Sequence, residues 1–129
     1  TNYSVLMNFK GRSNARELMD DPHLDTLLLR EVYADINRVN TVLQGFSLSL
    51  GAIEKIIEEN PQTSYTIMDM GCGDGTMLGK VAAFYKNKPV HLELIGVDLN
   101  SKSIAMAKET ICKEVKSPII FLGSLALFL

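Results

Sequence analysis

Apolar positions recur with two different periods along this chain, and the change between them divides it. From about Asp25, the residues Leu28, Val32, Ile36, Val39 and Leu43 return every three or four positions, the spacing of one helix face. Gly45 then reads as a helix stop. A second helical face follows with Phe46, Leu50, Ile53 and Ile57, ending before Asn60-Pro61. Beyond this point short apolar runs alternate with helical spacing. Tyr65–Met70 predicts a strand, and Met77, Leu78, Val81, Ala82 and Tyr85 predict a helix that Asn87-Lys88-Pro89 breaks. His91–Asp98, with Leu92, Leu94, Ile95 and Val97, predicts the next strand. Ser101 is the expected N-cap of a helix carrying Ile104, Ala107, Ile111 and Val115, broken by Ser117-Pro118. Ile119–Leu122 predicts a third strand. The order βαβαβ implies an α/β fold with a parallel sheet and right-handed crossovers, preceded by two helices. Residues 1–20 carry only weak periodicity and read as an arm, with Asp20-Asp21-Pro22 a turn or helix start.

Composition narrows the class. The 129 residues are enough for one modest core, and 47% hydrophobic with 22% charged is ordinary for a globular chain. The net charge of −2 and the absence of a dense Lys/Arg stretch argue against nucleic acid as a partner. Cys72 and Cys112 stand far apart with no Cys-X-X-Cys pattern, so both are expected to be reduced and no metal site is predicted. Thr1–Lys10 has no apolar h-region, and the apolar run Ile119–Leu129 is shorter than the roughly 20 residues a bilayer requires. No membrane partner is expected, and the expected compartment is the cytoplasm.

The candidate chemistry lies at residues 69–75, Asp-Met-Gly-Cys-Gly-Asp-Gly, between the first predicted strand and its helix. Glycine lets a ligand lie directly against the backbone, and the helix that follows offers N–H groups and the positive end of its dipole. Ligands of open α/β sheets bind beyond the carboxyl ends of the strands. Asp98 ends the second strand there, 23 positions after Gly75, where a carboxylate can accept both hydroxyls of a ribose. The glycines do not follow the G-x-G-x-x-G spacing that receives a pyrophosphate. Two acids, Asp69 and Asp74, flank and interrupt the run. They suit a cofactor bearing a cationic amino group and a sulfonium.

These motifs, Asp69-Met-Gly-Cys-Gly-Asp-Gly75 and Gly96-Val-Asp-Leu99, resemble the first two motifs of the class I S-adenosylmethionine-dependent methyltransferases. The resemblance covers roughly residues 62–122 and implies a Rossmann-like fold. Met19-Asp-Asp-Pro22 and Asp35-Ile-Asn-Arg38 also resemble small-molecule methyltransferases of bacterial polyketide clusters. The resemblance implies S-adenosylmethionine as cofactor and a small-molecule methyl acceptor. Asp69 would orient the turn and reach the methionyl amino group. Gly71, Gly73 and Gly75 would let the backbone approach the cofactor, and the carbonyl of Cys72 would meet the amino group. Asp98 would bind the ribose and Leu99 would pack on the adenine. Where the family carries an acid after strand three, Ser124 stands here. The family fold has seven strands and this sequence supplies three. Residues 61–129 are therefore expected to be the cofactor-binding half of a truncated domain, with 1–60 a helical arm, lid or homodimer surface.

Other readings of the same residues differ in kind. A non-catalytic cofactor-binding or interaction module would use the same turn, and a nicotinamide-dependent oxidoreductase fragment is disfavoured by the glycine spacing. Cys72 has no His nearby in sequence to make it a nucleophile. His23 reads as a solvated helix-start residue, His91 lacks a triad context, and Arg12 and Arg38 read as surface charge. Met19, Met68, Met70, Met77 and Met106 read as core filling, and Glu54-Lys55 with Glu58-Glu59 as a solvated helix face. No catalytic base is identified.

Overall fold

The structure, a computed structural model, describes residue 21, residues 23–114 and residues 119–123; the side chains of Cys112 and Glu114 lie outside this set. The expectations for residues 1–20, Pro22, Val115, Ser117-Pro118 and Ser124 fall outside it as well. Two helices, α1 (Thr26–Val42) and α2 (Gly45–Glu59), precede β1 (Ser64–Met70), α3 (Thr76–Tyr85), β2 (His91–Val97), α4 (Ser101–Glu114) and β3 (Ile119–Leu122). The strands form one parallel sheet in the order β1-β2-β3. Ile67 lies opposite Leu94, which lies opposite Ile119; Asp69, Gly96 and Phe121 align in the next such row. The expected βαβαβ unit is present.

Period-two alternation sorts the sheet residues between faces. Ile67, Leu92, Leu94, Ile119 and Phe121 pack beneath α3 and α4, against Leu78, Val81, Ala82, Ile104, Ala107 and Ile111. Leu50, Ile53 and Ile57 of α2 join the same core, as their spacing predicts. The opposite sheet face is covered unevenly: Val97 is buried, whereas Met68 is 54% exposed, Met70 66% and Ile120 46%. Reading Met68 and Met70 as core filling is therefore wrong here, because β1 places them on exposed parts of that face. Met106 is buried.

Three further expectations change. The chain between α1 and α2 turns on Gln44, a non-glycine residue with φ of 58°, and Gly45 opens α2 instead of ending α1. Asn100, not Ser101, caps α4: its side-chain oxygen accepts the N–H of Lys102 at 3.0 Å. The face of α1 is also displaced. Leu28, Ile36, Val39 and Leu43 are exposed, whereas Leu29 and Tyr33 are buried in a small cluster with Leu24 and Met106. The apolar stripe of α1 is wider than one face. Its rotation is fixed by polar partners on α4, with Arg30 pairing Glu109 at 2.9 Å and the Tyr33 hydroxyl within 2.7 Å of the Ser103 hydroxyl.

This rotation has a measurable consequence. Leu29→Ala should lower stability by about 2–5 kcal/mol, the range for a buried leucine. Val39→Ala, on the exposed stripe, should stay within about 0.5 kcal/mol. Urea denaturation of the two variants reads the difference, and comparable losses would mean that the helix presents its other face.

Candidate functional site

The glycine turn is held to the end of β2 by a dense set of backbone bonds. The carbonyl of Val97 accepts the N–H groups of both Gly71 and Cys72, at 2.7 and 3.0 Å. The carbonyl of Cys72 accepts the N–H of Gly75 at 3.0 Å, which closes the turn before α3. Gly71, Gly73 and Gly75 all have positive φ, between 57° and 78°, a region costly for residues with a Cβ. Their open sides differ. Nothing lies within 4 Å of a Cβ built on Gly71, so its backbone faces free space. A Cβ on Gly73 would lie 2.7 Å from the Tyr33 ring, and one on Gly75 would lie 2.9 Å from the ring of Phe121. Aromatic rings thus fill the Cβ sides of Gly73 and Gly75, and that of Gly71 is open.

Asp98 joins this turn to the second strand. Its Oδ2 accepts the N–H of Gly73 at 2.9 Å, and its Oδ1 accepts the N–H of Asn100 at 2.8 Å. Each carboxylate oxygen keeps a lone pair for a further donor. Asp74 has its Oδ1 on the N–H of Thr76 at 3.1 Å and its Oδ2 on the side-chain amide of Asn37 at 2.8 Å. Asp69 differs from both, having no hydrogen-bond or ion-pair partner among the described residues. Burial, and secondarily the nearby Asp98, raise its carboxyl above the ordinary value near 3.8.

A cavity of about 790 Å³ opens beside the turn. Its walls include Asp69, Gly71, Cys72, Gly73, Asp98 and Leu99, so six of the seven expected site residues share one space. Gly75, the seventh, lies beneath the turn against Phe121 and Ala107. Leu99 is 71% exposed at the rim. The outer wall comes from the N-terminal helices, through Tyr33, Ile36, Asn37 and Asn40 of α1 and Phe46 of α2. The sequence offered these helices as an arm, lid or homodimer surface but singled out none of these residues for the site. Leu29, Tyr33 and Asn37 do lie on one i, i+4 row, but a row passing from apolar to amide gives a weak hydrophobic signal.

Neither Cys72 nor Tyr33 is poised for proton or nucleophile chemistry. Burial, then the charges of Asp98 and Asp69, push the Cys72 thiol up to about 12. Burial also raises Tyr33, reinforced by Asp98 and Asp74 and only partly offset by its bond to Ser103. Among the described residues no group of three or more His, Cys, Asp or Glu side chains could hold a metal, and no helix is long and apolar enough to cross a membrane.

No family model matches the chain, and no curated protein matches it. Solved structures do. One is a Listeria monocytogenes protein provisionally described as a class I S-adenosylmethionine-dependent methyltransferase. It is 20% identical over 60% of this chain and 24% of its own, with a TM-score of 0.52. Another is YjhP from E. coli, at 22% identity over 58% of this chain and 28% of its own, with a TM-score of 0.41. A third is the plantazolicin methyltransferase BpumL, solved with S-adenosylhomocysteine and a desmethyl-plantazolicin analogue. It is 21% identical over 75% of this chain and 38% of its own, with a TM-score of 0.45. The Listeria structure bears on the fold: this chain shares the partial Rossmann-like architecture of that protein, and the match spans about a quarter of its length.

The thiol makes a direct test of the site's electrostatics. Native protein treated with iodoacetamide near pH 8 should leave Cys72 unmodified, and unfolding in urea should expose it to rapid alkylation. Peptide-level mass spectrometry resolves Cys72 from Cys112. Fast labelling of Cys72 in the native chain would contradict the raised thiol.

Proposed function

We propose that this chain binds S-adenosylmethionine and is the cofactor-binding portion of a methyltransferase acting on a small molecule. The observation that carries the reading is Asp98: one carboxylate at the end of β2 is bonded to the glycine turn inside the same cavity that holds Asp69, which has no partner among the described residues. The donor's chemistry fits these groups. Its ribose offers two hydroxyl donors for Asp98, and its ammonium suits Asp69 and the second lone pair of the Cys72 carbonyl. Gly71 leaves its backbone open, and Leu99 offers an apolar surface for adenine. A pyrophosphate, in contrast, would meet three carboxylates.

When bound, the cofactor supplies a methyl group made electrophilic by an adjacent sulfonium. Direct displacement then demands in-line placement of the acceptor, which alone can contribute about 7–11 kcal/mol. The chain's own work is therefore to bind, orient and exclude water. Helices α1 and α2 act in this reading as the lid. Their Ile36, Asn40 and Phe46 form a mixed apolar and amide wall facing the turn, suited to a small acceptor with an apolar body and a polar handle. Tyr33, held neutral, can donate a hydrogen bond but does not act as a base.

Calorimetry with S-adenosylhomocysteine and with NAD tests this directly. The first should bind and the second should not; tight NAD binding would sink the proposal. Asp98→Ala should weaken S-adenosylhomocysteine by about 1.5–3 kcal/mol, the scale of a hydrogen bond to a charged group. Thermal unfolding of the same variant separates that loss from loosening of the turn. A dissociation constant that did not move would remove Asp98 from the site.

Asp69 adds a pH dependence. The donor's ammonium favours its ionised form, so affinity should fall as pH drops through the raised carboxyl value, earlier than for an ordinary aspartate. The ligand-free chain behaves oppositely. There the group's contribution to stability is present below 3.8 and is lost as pH rises through the raised value, because the unfolded chain ionises more readily. Asp69→Asn should flatten the acid limb of the binding profile; a profile that kept its slope would assign the titration to another group.

A further inference from the structure

Helix α1 presents three faces. One packs against α4 through Leu29 and Tyr33, and the next lines the cavity through Tyr33, Asn37 and Asn40. The third carries Leu28, Val32, Val39 and Leu43, and of these only Val32 is half-buried. Val39 is 54% exposed, Leu43 69%, and Val42 beside them 75%. Single exposed leucines are ordinary, but apolar surface gathered along one helix face marks an interaction site.

The spacing of this stripe is symmetric. Leu28 and Val32 are four residues apart, Val32 and Val39 seven, and Val39 and Leu43 four. The pattern reads the same in both directions about a point between Asp35 and Ile36. An antiparallel copy of α1 laid along it brings Leu28 opposite Leu43 of the second copy, and Val32 opposite Val39 of the second copy. A two-fold axis makes each of these contacts twice, as an isologous interface requires.

The charges beside the stripe obey the same symmetry. Glu31, Asp35 and Arg38 are exposed and lie along one flank of it. A two-fold axis across antiparallel helices sets this flank against itself. Arg38 then falls between Glu31 and Asp35 of the second copy, so opposite charges meet on both sides of the axis. Within one chain Arg38 already holds Asp35 at 3.2 Å, so the carboxylate nearest the axis does not stand alone.

We propose that this face of α1 is a homodimer contact, an antiparallel pair of α1 helices from two copies of the chain. One helix face about 22 Å long is small beside the roughly 800 Å² per partner of a stable interface, so the dimer dissociates on dilution. Its place gives it a consequence for the site. Ile36, at the edge of the stripe, also lines the cavity. A second copy that holds α1 from outside steadies the cavity wall, whatever fills the cavity.

Sedimentation of the full chain over a wide concentration range tests the proposal. The mass should rise from one chain to two and stop there. Val39→Glu sets a carboxylate against Val32 of the second copy and should keep the chain single. Arg38→Glu should raise the dissociation constant about tenfold or more, because like charges then face each other. Both positions are exposed, so thermal unfolding of the dilute variants should match that of the dilute wild type. Orientation has its own readout. Mixed Val32→Cys and Val39→Cys chains should form a disulfide between unlike chains under mild oxidation, and either variant alone should cross-link no faster than wild type. A wild-type chain that stayed single at every concentration would overturn the proposal and leave the stripe to another segment or partner. So would a dimer that Val39→Glu and Arg38→Glu both left intact, assembly that ran past two chains, or Val39→Cys chains that joined to themselves.

Discussion

The carboxylate of Asp98 is the joint on which the site depends. It stands where β2 ends, receives the N–H of Gly73 from the loop after β1, and receives the N–H of Asn100 at the start of α4. Asn100 in turn caps that helix through Lys102. One side chain therefore fixes the relative placement of two strand ends and a helix start. In a parallel sheet those ends are where backbone groups run out of ladder partners and where a ligand can be received. The same bonds that satisfy the protein's backbone also aim the carboxylate along the cavity floor. In the proposed reading, one carboxylate thus serves both the turn and the ligand.

The glycines divide that labour differently. Phe121 fills the space beneath both Gly75 and Gly96, where a Cβ would lie within 2.9 Å and 2.7 Å of its ring. Tyr33 covers Gly73 in the same manner. A glycine-rich turn read from sequence suggests ligand approach at every glycine. Here two of the three turn glycines are bare so that aromatic rings can seat the turn on the sheet and under α1, and Gly71 alone of them faces open space. Close packing under the turn makes the open position rigid, which is what a binding site requires.

Much of this was legible in the sequence, for identifiable reasons. The strands, α3 and α4 follow strong local patterns, and Asp69, Gly71, Cys72, Gly73, Asp98 and Leu99 meet because the parallel topology forces two strand ends together. The rotation of α1 was not legible. Leu28, Val39 and Leu43 gave as good a hydrophobic row as Leu29 and Tyr33, and the choice between them came from Arg30–Glu109 and Tyr33–Ser103, pairs separated by 79 and 70 positions. Long-range polar pairs leave no local period to read. Met68 and Met70 misled for the complementary reason: strand alternation says that two residues share a face, but not whether anything covers that face.

The outer wall of the cavity is consequently the least self-sufficient part of the fold. Helix α2 packs on the main core, but the buried apolar cluster of α1 is only Leu24, Leu29, Tyr33 and Met106, far smaller than the core under the sheet. The rest is polar, and half-exposed polar contacts are individually weak. Two of these polar contacts, Asn37 to Asp74 and to Thr76, land on the glycine turn itself. A ligand that fills the cavity must touch both the turn and the helix, so its binding energy is shared with the docking of α1. By reciprocity, such a ligand would stabilise docked α1 by the same coupling free energy that docking adds to its binding. In the proposed reading the motif residues set where the ligand lies, and the helix outside the motif sets how firmly that place is enclosed.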